Sequence, residues 1–518
     1  MLQYGKVQNI DFYEELQRRG VQDILNHPVY QSPDFHNWFR VNLFLQNIVQ
    51  NSENCSVLVY GDYDVDGLMC AKTMEDCLRN LGVSKIDVYH YTQRTHALDT
   101  LAVQQAILGK YDYFIVCDTG SSNMELIHRV TKHGINVIIL DHHVTSYNYE
   151  NFDDDENIAI INTEIENSLA GYRKFELSAG ALCYVVMRKF CEENDYALYR
   201  PSAAYATVSL YSDCMNMANA FNRSIYYEAK ALQREELPHL ITCFLNDYSV
   251  FGARYIGYWF APRINACFRS ESFDVLNQLC FDHPNYNLEV VLCETIEDLY
   301  QKIRKLTKEL ADIIEVSELE HFVIGDLQSV EDIYNIDEYK IYNYTGLVAN
   351  MLSEKYGKAC VVHCFADTEI KGSVRDLFSR DYLSLFQHIC NAGGHAAAFG
   401  FHIGVFDLDT FYNSLRYLDE NFPIDEINNE PIILPMRSIA PDDLLIEDIA
   451  KYNEFSGQGL PIVYIKKQLV GTMKEIKTPY NFKYKWGDYM IQSDYCVPFG
   501  SYVLLKPIQS LYTKLLVS

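Results

Sequence analysis

Three aspartates stand at alternate positions in the segment "VYGDYDVDGLM", residues 59–69. Asp62, Asp64 and Asp66 follow an apolar run, and Gly67 closes the segment. In extended backbone, alternate side chains point the same way, so the three carboxylates can share one side where a strand ends. Carboxylate oxygens are the preferred ligands of hard divalent cations such as Mn²⁺ and Mg²⁺, and Mn²⁺ also accepts imidazole. The alternative for any single aspartate here is a helix N-cap.

Two further groups of ligand-type residues follow later apolar runs. Asp118 comes after "YFIVC", and Asp141, His142 and His143 come after "NVIIL". Uniformly apolar runs are typical of strands covered on both faces, and helical patterns lie between them, which predicts a parallel sheet. Ligand sites of such sheets form beyond the carboxyl ends of the strands, so we expect these side chains to meet on one rim. Two metal ions there would suit phosphoester hydrolysis.

The remaining chain predicts further domains. Residues 294–316 repeat apolar side chains at helical spacing, which indicates a long helix that joins two domains or, alternatively, an ordinary surface helix. A second α/β unit is predicted from about 320 to 412, ending in the glycine-rich "NAGGHAAAFGFHI". Beyond Pro423, short apolar runs broken by turn signals predict a small β-barrel or sandwich.

Composition limits the function classes. The chain has 518 residues and a net charge of −27, which by itself argues against nucleic-acid binding. However, residues 461–518 hold eight lysines against three acidic residues, so a local basic surface is compatible with the acidic average. The 15 cysteines form no Cys-x-x-Cys pair, which fits a reducing compartment. Without a long apolar stretch or a signal-peptide pattern, we expect a cytoplasmic location and no membrane contact.

The motifs together resemble a known superfamily. "GDYDVDG", "CDTGSSN", "LDHH" and "SLYSDCMNM" resemble, in order and spacing, the four motifs of the DHH phosphoesterases. "NAGGHAAAFG" resembles the glycine–histidine motif of their associated second domain. "FAPRINACFRS", "YTGLVANMLSEKYGKACVV", "KGSVRD" and "FSGQGLPIVYI" are similar to segments of RecJ-type single-strand exonucleases, so the resemblance spans nearly the whole chain.

The resemblance implies an α/β fold: a parallel-sheet DHH domain and a second α/β, DHH-associated domain joined by a long helix, with a C-terminal OB-fold-like β-barrel. The boundaries that we predict are an N-terminal lead-in at 1–49, the DHH catalytic domain at 50–270, connecting helices at 271–319, the DHH-associated substrate-binding domain at 320–412 and the OB-fold-like nucleic-acid-binding domain at 425–518.

The resemblance also implies two Mn²⁺ ions per active site, with Mg²⁺ as the alternative. Asp64 would hold one ion; Asp66, His142 and Asp213 would hold the other; and Asp118 would bridge them. Asp62 would stand near the first ion, and His143 would contact the substrate phosphate or position the water. Further substrate-binding residues implied by the resemblance are Arg263, Asn265, Arg375, Gly393, Gly394 and His395.

The C-terminal segment "KTPYNFKYKW" adds a prediction of its own. Lysines and aromatic residues alternate, so a strand would place the aromatic rings on one face and Lys483 and Lys485 on the other. Single-strand-binding proteins combine aromatic platforms for bases with cations for phosphates, so Lys483, Tyr484 and Lys485 are predicted to bind nucleic acid. The alternative is that Phe482 and Trp486 fill the core while the lysines face water.

The function that this reading favours is a metal-dependent exonuclease acting on single-stranded DNA, by resemblance 5′→3′, in DNA recombination, repair or replication. RNA is an alternative substrate, and replication or repair proteins are candidate partners. Two other classes stay open: a DHH phosphodiesterase of short oligoribonucleotides or cyclic dinucleotides, and a non-catalytic replication scaffold.

Overall fold

The fold is seen in a computed structural model that describes residues 11–93, 98–171, 174–245, 250–328, 330, 341–366, 369–376, 382–395, 398–421, 432–436, 442–456, 460–468, 474–477, 482–486, 488–493, 502–508 and 514–517. The chain forms two compact units, one running from Arg19 to Leu299 and the other made mainly of the residues from Tyr300 onward. The first helix belongs to the second unit, where the Phe12 ring lies 5.8 Å from that of Tyr452.

The first unit is built on a five-stranded, fully parallel sheet in the order β2-β1-β3-β4-β5. Apart from those of the edge strand β2, the residues of these strands are almost all buried, as expected for strands covered on both faces. The predicted parallel sheet is therefore confirmed. Its strands are β1 Ser56–Gly61, β2 Lys85–Val88, β3 Tyr113–Cys117, β4 Asn136–Asp141 and β5 Ile158–Asn162.

Helices cover this sheet. Three of them, α3, α8 and α9, pack against one another, and α3 also packs on β1 while α8 packs on β3 and β4. The helices up to this unit's end are α1 Phe12–Arg18, α2 Trp38–Gln50, α3 Val65–Asn80, α4 Thr100–Gly109, α5 Met124–Thr131, α6 Glu150–Asp153, α7 Thr163–Ala170, α8 Ala179–Glu193, α9 Ser202–Ser212, α10 Ala220–Lys230, α11 His239–Thr242, α12 Ala253–Tyr255, α13 Ala261–Arg269 and α14 Phe273–Cys280.

A long helix follows, as the apolar spacing predicts. Helix α15 spans Tyr286–Ile313, 28 residues, and so begins eight residues before the predicted start. The chain passes from the first unit to the second within it, at Leu299–Tyr300. Of the two readings that the periodicity allowed, the helix that joins domains is therefore the one observed. Among the described residues, no helix combines the length and apolar character of a membrane span.

The second unit contains a six-stranded mixed sheet in the order β10-β11-β9-β8-β7-β6, in which only β7 and β8 run parallel. Apolar clusters lie on both of its faces, so the predicted second α/β unit is confirmed. Its elements are β6 Val316–Glu318, β7 Phe322–Asp326, α16 Thr345–Tyr356, β8 Ala359–Ala366, β9 Glu369–Arg375, α17 Leu383–Phe386, β10 Asn391–His395, β11 Ala398–Gly404 and α18 Leu408–Asn421.

A third sheet of seven strands closes the chain, in the order β12-β13-β17-β18-β16-β15-β14. The predicted β-rich C-terminal segment is confirmed, but it also contains helix α19, which packs on β13 and β17. The OB-fold-like barrel stays a prediction, because the strand order among the described residues is linear. The elements are β12 Ile432–Pro435, α19 Asp443–Glu454, β13 Val463–Gln468, β14 Lys474–Lys477, β15 Phe482–Trp486, β16 Tyr489–Ser493, β17 Tyr502–Ile508 and β18 Lys514–Val517.

Candidate metal centre

The three alternating aspartates lie where β1 turns into α3. Asp62 follows the strand, Asp64 is the N-cap residue of α3, and Asp66 stands in the first helical turn. The Asp64 carboxylate accepts the Gly67 N–H at 2.9 Å, so the helix-cap reading is correct for this residue. A Cβ on Gly61 would lie 1.9 Å from the Gly67 carbonyl oxygen, so only glycines allow this tight a junction between strand and helix.

Asp66 is held by the start of another helix. Its two carboxylate oxygens accept the N–H groups of Ala179 at 2.9 Å and Gly180 at 2.8 Å, and the Ser209 hydroxyl also donates to it. The first N–H groups of a helix have no partner within the helix and attract negative charge. The N-terminus of α8 therefore orients Asp66, which keeps lone pairs for a further ligand. No sequence motif pointed to these amides.

Asp118 follows β3 and is 2% exposed. Its φ of +62° is unusual for a residue with a Cβ, and such strain persists where the surrounding structure imposes it. The Asp118 N–H donates to the Leu140 carbonyl at 2.9 Å, which extends the pairing of β3 and β4 by one residue. This pairing turns the carboxylate toward the histidines, and Asp118 Oδ1 lies 3.2 Å from His142 Nε2.

Asp141, which ends β4, positions both histidines. One of its oxygens accepts the His142 N–H at 2.7 Å and the His143 N–H at 3.1 Å, and lies 2.9 Å from His143 Nδ1. The other oxygen accepts the Ser121 N–H at 3.1 Å. A carboxylate at Nδ1 fixes the ring and leaves Nε2 for the site. Asp141 is therefore a site residue that the sequence reasoning placed on the rim without giving it a role.

His142 is the point on which the acids converge. Its Nε2 lies 3.2 Å from Asp118 Oδ1, 3.6 Å from Asp213 Oδ2 and 3.8 Å from Asp66 Oδ2. Asp213 reaches this point because it is the C-cap residue of α9.

Two sets of potential ligands share this imidazole, each with its ligand atoms within 4.8 Å of one another. One set is Asp66, His142 and Asp213, the trio that the resemblance assigns to a single ion. The other is Asp118, His142 and His143. Asp64 lies outside both sets, and its role as ligand of a separate ion stays a prediction.

Crowding perturbs the acidity of the site. Burial, and then the neighbouring Asp64, raise the pKa of Asp62 to about 7. Burial, and then Asp213, raise the pKa of Asp66 to about 6. Burial and the charge of Asp66 raise the pKa of Asp118 well above its ordinary value. Carboxylates packed this closely are costly when ionised, and a bound cation would remove that cost.

Unsatisfied oxygens support the same conclusion. Asp62 Oδ1 and Asp118 Oδ1 are buried, and among the described residues neither accepts a hydrogen bond. Buried polar atoms nearly always have a partner, and a hard divalent cation would supply one here. The donor set of carboxylates with imidazole fits Mn²⁺ or Mg²⁺, and the residues whose ligand atoms come together are Asp66, Asp118, His142, His143 and Asp213. The ligand roles of Asp62 and Asp64 stay predictions.

Arg263, the predicted substrate-binding arginine of the first unit, lies in a partly buried ion pair. Arg263 is 4% exposed, its Nε donates to Glu297 at 2.6 Å and its Nη1 donates to the Trp259 carbonyl at 2.8 Å. Contact of Arg263 with a phosphate stays a prediction, and it would have to compete with Glu297. Asn265, on the same helix α13, is partly buried, and its substrate role also stays a prediction.

The predicted substrate residues of the second unit lie on strands β9 and β10 of its mixed sheet, on either side of β11. Gly393, Gly394 and His395 lie in strand β10. Gly394 has a φ of +135°, and a Cβ there would lie 2.9 Å from the Phe399 Cα, so this position requires glycine. Ala398 of β11 pairs with His395 of β10 on one side and with Arg375 of β9 on the other, so the three residues occupy matching positions on neighbouring strands. Their phosphate contacts stay predictions.

One prediction for the C-terminal sheet is wrong. Tyr484 is 0% exposed and Trp486 3%, because the aromatic face of β15 packs into the core of the sheet. A fully buried ring cannot stack on a base, so Tyr484 is a core residue. The lysines take the opposite face, with Lys485 exposed and Lys483 partly buried, which leaves them as candidates for phosphate contact. Alternation was predicted correctly, but it could not tell which face is covered.

Comparisons with known proteins relate this chain to a known family. Residues 56–212 match the model of the DHH family, N-terminal domain. The single-stranded-DNA-specific exonuclease RecJ of Bacillus subtilis is 20% identical over 447 residues, covering 82% of this chain and 54% of the relative. The Escherichia coli protein of the same name is 22% identical over 384 residues, covering 67% of this chain and 63% of the relative. The chain thus spans less than two thirds of the length of either relative.

A solved structure shares the fold. The crystal structure of RecJ from Thermus thermophilus in complex with Mn²⁺ matches with a TM-score of 0.68 at 15% identity, covering 97% of this chain and 74% of that chain. This likeness extends over both units. Residues 56–212 thus match the DHH family, with its motifs on the rim of a parallel sheet, and the likeness of the whole chain to RecJ is one of fold.

Proposed function

We propose that this protein is a divalent-metal-dependent exonuclease that hydrolyses phosphodiester bonds of single-stranded DNA. The observation that carries the proposal is the convergence of Asp66, Asp118 and Asp213 on the His142 imidazole, in a site where buried carboxylate oxygens accept no hydrogen bond from the described residues. The relatives named as single-stranded-DNA-specific exonucleases support the choice of substrate.

The residues of the metal centre would have distinct roles. Asp66, His142 and Asp213 would hold one ion, Asp62 and Asp64 would hold another, and Asp118 would bridge the two. When bound, Mn²⁺ or Mg²⁺ supplies an activated water and neutralises the leaving oxygen. The N-terminus of α8 keeps Asp66 in place through the Ala179 and Gly180 amides. These fixed contacts mean that the ligands need little rearrangement.

His143 is placed to act on the substrate. Its side chain is 57% exposed, whereas that of His142 is 8% exposed. The contact of Nδ1 with Asp141 leaves His143 Nε2 to contact a phosphate oxygen or to position the water. In the second unit, Arg375 and His395 would bind neighbouring phosphates, since a guanidinium matches phosphate geometry. Lys483 and Lys485 would add positive charge next to the bound single-stranded DNA.

The test is a hydrolysis assay with the full chain and Mn²⁺ or Mg²⁺. Single-stranded and duplex oligonucleotides of DNA and RNA, each about 20 nucleotides long and labelled in turn at each end, separate the alternatives. We expect stepwise loss of nucleotides from single-stranded DNA starting at the 5′ end, and none in EDTA. Hydrolysis confined to dinucleotides and cyclic dinucleotides would support the short-substrate alternative. Binding of strands without any hydrolysis, in either metal, would contradict the enzyme assignment and favour a scaffold.

A further inference from the structure

Two aromatic side chains are exposed side by side just before α13. Tyr258 is 68% exposed and Trp259 is 42% exposed, whereas Tyr255 and Phe260 on either side are 3% and 0% exposed. The flanking rings anchor the segment in the core of the first unit, and the two middle rings face water. Large rings held in water carry an energetic cost, and such surfaces commonly mark binding sites.

The backbone explains this exposure. Ile256–Phe260 is a π-helical turn, and Pro262 follows at the start of α13. In a continuous α-helix the proline ring would clash with the Tyr258 carbonyl, and the proline has no N–H to donate to it. The wider turn relieves the clash and leaves the consecutive residues Gly257, Tyr258 and Trp259 all exposed. Turns of this kind are rare and occur frequently at functional sites.

Arg263 fixes one of the two rings. Its guanidinium lies 4.7 Å from the centroid of the Trp259 ring, and its Nη1 donates to the Trp259 carbonyl at 2.8 Å. The ion pair with Glu297 holds the guanidinium in turn. The indole is therefore oriented before any ligand arrives, which lowers the entropic cost of stacking against it.

An exposed cation lies near the two rings in a chain of net charge −27. Arg254, four residues before Tyr258, is exposed. Positive charge beside exposed rings is the combination with which proteins bind single strands, using stacking for bases and cations for phosphates.

The segment is also close to the metal centre. The π-helical turn packs against α9, the helix that ends at Asp213. Since α9 has 11 residues, it is about 16 Å long. The π-helical turn therefore lies within about one helix length of Asp213.

We propose that Tyr258 and Trp259 form a stacking platform for the bases of the single strand, and that Arg254 contacts its phosphates. The proposal rests on the proposed function, because it assigns the platform to the same substrate. Stacking does not require a particular base, which suits an enzyme that must move along any sequence. If the same surface instead bound a protein partner, removing a ring would not weaken binding of a strand through its bases. The experiment therefore distinguishes the two occupants.

The experiment measures binding of the full chain to two fluorescent strands of about 20 nucleotides in EDTA. One is oligo(dT), and the other is an abasic strand of equal length and charge. Trp259→Ala should weaken binding of oligo(dT) about tenfold, in line with the energy of one stacked base, and leave the abasic strand unchanged. Tyr258→Ala should behave in the same way. Phe39→Ala is the matched control, because Phe39 is 78% exposed on α2, and it should change neither affinity.

Tryptophan fluorescence gives a second, independent signal. The chain has three tryptophans, and Trp38 and Trp486 are only 9% and 3% exposed, so quenching by oligo(dT) should come from Trp259. Trp259→Phe should abolish the quenching and keep most of the affinity. Equal losses on both strands in Trp259→Ala, or undiminished quenching in Trp259→Phe, would overturn the platform. Mn²⁺-dependent hydrolysis by the unmodified chain, measured separately, would then still support the proposed function.

Discussion

Because carboxylates are crowded at the metal centre, we predict that removing one of their charges stabilises the metal-free protein. Asp62→Asn removes one charge and almost no volume. Burial and the charge of Asp64 raise the pKa of Asp62 from 3.8 to about 7. A folded-state pKa this far above the unfolded value means that ionised Asp62 opposes folding by about 4 kcal/mol. That value is an upper limit for the substitution, because Asp62 is partly exposed and shares the repulsion with its neighbours.

The pH dependence follows from the same shift. Below about pH 4, Asp62 is protonated in both the folded and the unfolded protein, so the substitution should change little. Between about pH 4 and pH 7 the unfolded protein loses this proton first, so stability of the metal-free wild type falls as pH rises, and above that range the difference is constant. Asp62→Asn should therefore raise the unfolding temperature in EDTA at about pH 8, and hardly at about pH 4.

Thermal unfolding in EDTA measures the effect of the substitution on the metal-free protein, and unfolding in Mn²⁺ measures its effect on the metal-bound protein. Added Mn²⁺ should stabilise the wild type more than Asp62→Asn, which reverses their order. Asp155→Asn is the control. Burial raises the pKa of Asp155, but its hydrogen bonds, led by that from Thr131, outweigh burial and lower the pKa overall. Loss of this carboxylate should therefore destabilise the protein. If Asp62→Asn destabilises the metal-free protein at about pH 8 as Asp155→Asn does, the crowded-carboxylate account is refuted.

Three further predictions concern metal and substrate. Asp118→Ala should lower Mn²⁺-dependent hydrolysis by about 100-fold or more in a folded protein, and activity within about tenfold of wild type would contradict its bridging role. Mn²⁺ binding at about pH 6 should release protons, because the raised pKa values of Asp62 and Asp66 keep these carboxyl groups partly protonated in the metal-free protein. Calorimetry in buffers of different ionisation enthalpy counts the protons, and release of none would contradict the crowding. His395→Ala should weaken oligonucleotide turnover and keep the Mn²⁺ stoichiometry of the wild type, and loss of an ion by titration would place His395 among the metal ligands.

The metal rim was predictable because it depends on local patterns. Apolar runs such as β1 and β4 specify buried strands, and the helical stretches between them require parallel order. The carboxyl ends of parallel strands meet on one edge, so residues following different strands come together there whatever the details of packing. Asp62, Asp118 and His142 lie together for this reason, although they are far apart in sequence.

Only tertiary packing decided the rest. Nothing local in the sequence indicates that the α8 amides hold Asp66, because the docking of one helix end on another residue depends on contacts distant in the chain. The alternation of β15 predicts two faces, but only the tertiary structure shows that the face of Tyr484 is the buried one. Arg263 on α13 similarly donates to Glu297 on α15 only because the tertiary fold brings these two side chains together. The sequence determined which side chains lie at the carboxyl ends of the strands. Long-range packing decided which of these side chains are oriented by neighbours, which are buried and which are exposed.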